Sequence, residues 1–303
     1  MWDGPLRISS WYWRSARLSP KRKRESGESL KLFGRRTKEE FALPASFEDG
    51  RPIRILAGQA QSVGKTRDHM EDAAISLVVR QGFHGQERRA GLFVVADGMG
   101  GHFNGEMASS IAVQNFVGSF DLLSTLSLES INDDLLVEKM ESSVQKAQEA
   151  VLENVHGGGS TLTAALLLER ELVFAHVGDS RLYLIGNSGA PEHLTRDHSL
   201  VQRLVDLGQI NAAEAELHPQ KNVLYRALGQ TDGFKVDVGQ KELSKPTHLL
   251  LCSDGLWGLV NESKLVETVR ASSSVEKRAQ DLCDLANEAG GSDNISVIVV
   301  DVF

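Results

Sequence analysis

The stretch LTAALLLERELVFAHVGDSRLYLI at residues 162–185 decides the architecture. It holds three short, mainly apolar runs, 162–168, 172–177 and 182–185, the last two parted by Gly178, Asp179, Ser180 and Arg181. Apolar runs this short, bounded by turn residues, read as strands. Three in direct succession predict a meander, and strands without intervening helices predict antiparallel sheets instead of a doubly wound parallel one. Working outward, further runs lie at 73–79, 92–96, 249–252 and 295–302. Several are apolar at successive positions, which requires cover on both faces. Predicted helices at 106–120, 131–154, 265–270 and 279–289 supply that cover. Along 131–154, Leu135, Leu136, Val144, Ala147 and Val151 recur at helical spacing. Residues 195–239 break the texture, with a helix expected near 200–207 and then a polar stretch containing His218 and Pro219. Such an insertion over one edge of the core, placed beside a site, would be a lid or specificity element.

The 303 residues suffice for one large domain or two ordinary ones. With 41% hydrophobic and 24% charged residues, the composition is that of a soluble globular protein. No apolar run approaches the roughly 20 residues of a membrane helix. Two cysteines, Cys252 and Cys283, can build neither a disulfide framework nor a cysteine zinc site, and a reducing, cytoplasmic setting is the simplest expectation. The net charge of −8 conceals an asymmetry. Residues 1–40 carry 11 Lys or Arg against 5 Asp or Glu, leaving 22 against 36, a net of −14, for the other 263. So acidic a body argues against nucleic acid as a ligand and suits hard divalent cations. Residues 1–51 are expected to be a basic tail and linker, and 52–303 the folded domain. Trp2, Trp11, Tyr12 and Trp13 beside the run Lys21, Arg22, Lys23, Arg24 would suit a membrane surface or a partner, although a solvated tail is the simpler expectation.

Acids stand at the strand ends. The 92–96 run leads into Asp97 and Gly98, 174–177 into Gly178, Asp179 and Ser180, and 249–252 into Ser253, Asp254 and Gly255; Asp293 and Asn294 precede the run at 295. Any one of these reads as turn chemistry, because Asp beside Gly is a common turn signal. Four together point to a site. Oxygen ligands without a histidine or cysteine cluster select Mg²⁺ or Mn²⁺ over Zn²⁺. Two such ions about 3.5–4 Å apart would activate a water and neutralise a phosphoryl group, which implies phosphate-ester hydrolysis. Upstream, Arg67 precedes the acids Asp68, Glu71 and Asp72; Arg is suited to gripping a phosphate dianion, and a solvated turn is the plainer alternative.

The ordered set from Arg67 to Asp72, Asp97-Gly98-Met99-Gly100-Gly101-His102, Gly159-Ser160-Thr161, Gly178-Asp179-Ser180-Arg181, His218 to Gly229, Ser253-Asp254-Gly255 and Ser292-Asp293-Asn294 resembles the protein phosphatase 2C type in its bacterial form, over about 55–303. The resemblance implies an α+β fold, a four-layer α-β-β-α sandwich of two antiparallel sheets flanked by helix pairs. It implies Asp97 as the carboxylate bridging two metals, the Gly98 carbonyl on the first, and Asp254 and Asp293 on the second. Arg67 matches the phosphate-binding arginine, and Glu71 and Asp72 match acids that hold metal-bound waters. Asp179 matches a ligand of a third, weaker ion, and 195–239 matches the family's flap. The implied enzyme is a monomer using Mn²⁺ or Mg²⁺ on phosphoserine and phosphothreonine in proteins, with a serine/threonine kinase and its targets as partners.

Two positions depart from that pattern. Met99 stands where animal members carry a histidine that is a candidate general acid, so the proton for the leaving group is unassigned. Gly258 stands where many members carry a further acid for the third metal, which leaves that site in question. Gly64, Lys65 and Thr66 do not form a phosphate loop, because position 59 is Gln where that motif needs Gly. Neither cysteine has an arginine six residues on, which excludes a cysteine phosphatase. A phosphoprotein-binding fold without turnover, and an enzyme acting on small phosphate esters, stand as alternatives.

Overall fold

In the computed structural model, the described residues are 52–83, 86–120, 133–231 and 233–303, with 43, 44, 46–48, 122 and 125. The basic tail and its tryptophans lie outside them. Two five-stranded antiparallel sheets form the centre. The first has the order β1 (Ile55–Ser62), β12 (Ile295–Val302), β11 (Thr247–Cys252), β8 (Arg181–Ile185) and β9 (Glu192–His193). The second has β10 (Asp237–Glu242), β7 (Glu171–Val177), β6 (Leu162–Leu168), β3 (Gln86–Ala96) and β2 (Ala73–Phe83). A two-residue pair, β4 (Gly98–Met99) with β5 (Gly159–Ser160), sits where β3 ends.

The side-chain alternation of the strands explains the unbroken apolar runs. On β3, Phe93 and Val95 face the space between the sheets, where they join Ala165, Leu167, Leu249, Leu251, Ile298 and Val300. Leu92, Val94 and Ala96 point the other way, into a core made with α1 (His102–Ser119) and α2 (Asp133–Asn154). On the first sheet, Leu250, Cys252, Val297 and Val299 turn outward onto α6 (Glu262–Val269) and α7 (Val275–Glu288), where Leu265, Ala279 and Leu282 are buried. Each layer therefore buries one face of a sheet, and the α-β-β-α sandwich follows.

The expected three-strand meander is corrected. β6 and β7 pair, but β8 crosses into the other sheet and pairs with β11, Leu182 against Leu251. Gly178, at φ 111°, makes that crossing. The edge strands β1 and β10 escape the apolar pattern because an edge strand buries little; β10 reads Asp-Val-Gly-Gln-Lys-Glu. Residues 237–239 of the expected insertion belong to β10. The rest of it holds α3 (Leu200–Asp206) and α4 (Ala212–Glu216). The compact unit also begins before residue 52: Phe47 is buried in the inter-sheet core, with the Arg170 guanidinium 4.5 Å from its ring centroid.

Candidate active site

Strand ends from both sheets bring the chain's acids to one end of the sandwich. Asp97 follows β3, and its backbone is held from both sides: its N–H donates to Thr161 Oγ1 at 2.8 Å, and the Thr161 N–H donates to its carbonyl at 2.8 Å. Gly98 comes next, with its N–H on the Glu71 carbonyl at 3.2 Å. A Cβ at Gly98 would lie 2.1 Å from the Gly105 carbonyl oxygen, so no other residue fits between the Glu71 loop and α1. Asp254 opens the short helix α5 (Asp254–Trp257) directly after β11. Asp179 sits in the crossing between β7 and β8, its carbonyl accepting from Trp257 Nε1 at 3.0 Å. Arg181 stacks 3.6 Å from the Trp257 ring centroid and forks onto Asp197, which braces the same turn.

The loop before β2 reaches the site by way of Asn294. This buried amide donates to the carbonyls of Val63 and His69, both at 2.9 Å, and its oxygen accepts from the Glu71 N–H at 2.5 Å. The Gly64-Lys65-Thr66 segment is part of the same clasp, since the Lys65 N–H donates to Gly291 O at 2.7 Å and Thr66 Oγ1 to Ser292 O at 2.6 Å. Arg67, half-exposed, thereby meets Asp293: its Nη2 donates to Oδ2 at 2.8 Å. Ser253 Oγ donates to Asp72 Oδ2 at 2.8 Å and accepts from the Ser296 N–H at 3.0 Å, linking the two sheets behind the acids.

The charges show why this arrangement needs a partner. Burial, with Asp72, Asp254, Asp179 and Asp293 around it, holds the Asp97 carboxyl far above the ordinary carboxylate range. Burial, with Asp254 beside it, does the same to Asp179. Asp72 is pushed up to about 7 by burial against the opposing hydrogen bonds of Ser253 and Ser296. Asp254 rises to about 6, through burial and then Asp293. Arg67 is raised: its partial burial acts downward and is outweighed by Asp293, Glu71 and Asp97. Buried like charges cannot all ionise without compensation. Asp72 Oδ1 and Asp254 Oδ1 are buried and accept no hydrogen bond. All-oxygen, multiply charged and partly unsatisfied, this donor set fits hard divalent cations. Among the described residues no three His, Cys, Asp or Glu side chains close around a single point at ligand distance; Asp293, for one, is turned toward Arg67.

Arg67, Glu71, Asp72, Asp97, Gly98, Asp179, Asp254 and Asp293 thus share one neighbourhood. The side chain of His102 lies outside the described ones. Thr161, Ser253 and Asn294 stand within the sequence motifs, but nothing in their spacing reveals their part in holding the acids. The only signal is adjacency to Asp or to a strand end.

A family model described as Protein phosphatase 2C matches residues 79–288. The serine/threonine phosphatase stp of Listeria welshimeri is 36% identical over 240 residues, spanning 78% of this chain and 92% of that protein. Among solved structures, the serine/threonine phosphatase of S. agalactiae superposes with a TM-score of 0.72 at 29% identity, over 82% of this chain and 99% of the other. The catalytic domain of the phosphatase PstP, solved in complex with two manganese ions, gives 0.68 at 30% identity, over 82% and 99%. With the family model matching well over half of the chain and the strand-end acids gathered in one place, this chain belongs to the protein phosphatase 2C family.

Proposed function

We propose that this protein hydrolyses phosphoserine and phosphothreonine esters in proteins, using two divalent cations. The observation that carries the reading is the set of buried carboxyls Asp72, Asp97, Asp179 and Asp254, all with raised proton affinity and two with unpartnered oxygens. The two-manganese complex of the PstP catalytic domain supports it. Asp97 would hold both ions, the Gly98 carbonyl the first, Asp254 and Asp293 the second, and Asp179 a third, while Glu71 and Asp72 take the waters around them. When bound, the cations supply a nucleophilic water at neutral pH and neutralise charge on the phosphoryl group.

The protein's own residues do the rest. Arg67 orients the phosphate through charge-assisted hydrogen bonds, and its present partner Asp293 keeps the guanidinium at the mouth of the site. Asn294 fixes the loop that carries Arg67 to the loop that carries Asp293. Met99 has no proton to give, so protonation of the leaving oxygen falls to another group. The segment from 195 onward borders the site through Gly178 and acts as the flap.

The cellular reading is a cytoplasmic monomer that opposes a serine/threonine kinase, with Mg²⁺ able to replace Mn²⁺. Two free, buried cysteines suit a reducing compartment. Among the described residues no helix is long and apolar enough to cross a membrane. The test is hydrolysis of an aryl phosphate and of a phosphothreonine peptide by the Mn²⁺-loaded chain. Turnover is expected on both, and a chelator or Asp97→Asn should abolish it. A loaded protein inert on the peptide but able to bind it would favour a phosphoprotein-binding role, and turnover of the aryl ester alone a small-molecule enzyme.

A further inference from the structure

His198 stands at the root of the flap and the catalytic reading leaves it without a task. It is buried, and its contacts run in two directions. Toward the site, the Gly178 N–H donates to His198 Nδ1 at 3.0 Å, while the His198 N–H donates to the Gly178 carbonyl at 2.7 Å. In the other direction, Nε2 lies 3.1 Å from Oδ2 of Asp237 on β10, and Nη1 of Arg226, in the flap, donates to Asp237 Oδ1 at 2.9 Å. The Tyr225 N–H donates to the His198 carbonyl at 2.9 Å, joining the returning arm of the flap to its outgoing one.

This geometry sets the tautomer. Nδ1 accepts from an amide, so the ring proton sits on Nε2 and is donated to Asp237. Arg226 Nη1, 3.1 Å from Nε2, is then a neighbour and not a donor to it. Burial and Arg226 lower the proton affinity of the ring, and burial lowers that of His176 to about 3. The two rings lie 4.8 Å apart, and His176 Nε2 meets the Arg196 carbonyl at 3.1 Å, fixing the flap's first residues against β7. Gly178 also packs closely on Thr161, since a Cβ there would lie 2.5 Å from Thr161 Cγ2, and Thr161 is the residue that holds the Asp97 backbone.

We propose that His198 is a positioning residue that ties the flap, through Asp237 and Arg226, to the Gly178 amide and so sets the disposition of Asp179. The proposal rests on the cation-dependent reading of the site given above. It makes the affinity of Asp179 for a cation depend on a side chain that never touches the cation. Neighbours that orient a ligand residue are typically worth about 10–100-fold in metal affinity.

Two variants separate its halves. His198→Asn places an oxygen where Nδ1 lies and keeps the bond from Gly178, whereas His198→Gln reaches toward Asp237 and gives up the Gly178 bond. Both are made in the full chain with Trp2→Phe, Trp11→Phe and Trp13→Phe, which leaves Trp257 as the sole remaining tryptophan of four. Its indole donates to the Asp179 carbonyl, so Mn²⁺ quenching of its fluorescence reports on cation held there. His198→Gln should weaken that binding about tenfold, and His198→Asn should lose far less. Equal loss in both variants, or none in either, overturns the proposal. A parent protein that neither quenches with Mn²⁺ nor turns over substrate removes the function itself, and this inference with it.

Discussion

In metal-free protein, Asp72→Asn should stabilise the fold at high pH. Asp72 is 6% exposed and held at about 7, against an ordinary 3.8, mainly by burial. Between those values the folded chain keeps a proton that the unfolded chain releases. Stability contributed at this group therefore falls as pH rises from about 4 through 7. A gap of about three units is worth on the order of 4 kcal/mol at pH 8. Asparagine carries no charge to bury and keeps an oxygen for the Ser253 hydroxyl, so the variant escapes the penalty. For a domain of this size that is roughly 10 °C in Tm. The comparison with wild type is essential, because burial of neutral His176 produces a slope of the opposite sign below pH 6.5 in both proteins. The assay is urea and thermal unfolding in chelator at pH 4.5, 6 and 8. Near-equal stability at pH 4.5 with a gap widening toward pH 8 is expected, and added Mn²⁺ should narrow it by favouring wild type. A variant no more stable than wild type at pH 8 in chelator would refute the claim that the carboxyl cluster is electrostatically frustrated.

Arg67→Ala should weaken inhibition by inorganic phosphate and raise KM by about tenfold or more, the value of a charge-assisted hydrogen bond, with little change in Mn²⁺ affinity; equal loss of phosphate and metal binding would contradict its role. Deleting residues 1–36 should leave turnover and Tm unchanged, whereas deleting 1–50 removes buried Phe47 and should cost about 2 kcal/mol, read as a lower Tm. Equal behaviour of the two truncations would show that Phe47 contributes no stability.

Much of this was legible in the residues. The runs at 162–168 and 295–302 are buried at every position, so their apolar character survives any view of the neighbouring strands. The acids were legible for a related reason: a strand end is a fixed point, and Asp97, Asp179, Asp254 and Asp293 each stand at one. Pairing was not. Nothing local to Leu182 tells it to pair with Leu251 in place of the adjacent β7, because that choice is made by an element nearly 70 residues away. β10 was invisible because its ladder bonds come from backbone atoms common to all residues. The part played by Asn294 is hidden in the sequence: its three side-chain hydrogen bonds go to residues more than 220 positions earlier, and an Asn beside an Asp looks like any turn.

The placement of β12 has a consequence for how the protein is made. Its eight residues lie between β1 and β11, with Ile55 opposite Val302 and Thr247 opposite the same residue. The earliest strand of the domain to leave the ribosome must wait for the last before it has a partner. During synthesis the second sheet, whose strands β2, β3, β6, β7 and β10 are complete by residue 242, can assemble first. The first sheet closes only after translation has passed Val302, a long-range step of the kind that slows folding. Since Asp293 immediately precedes that strand, a nascent chain holds an unfinished site until β12 itself has been made.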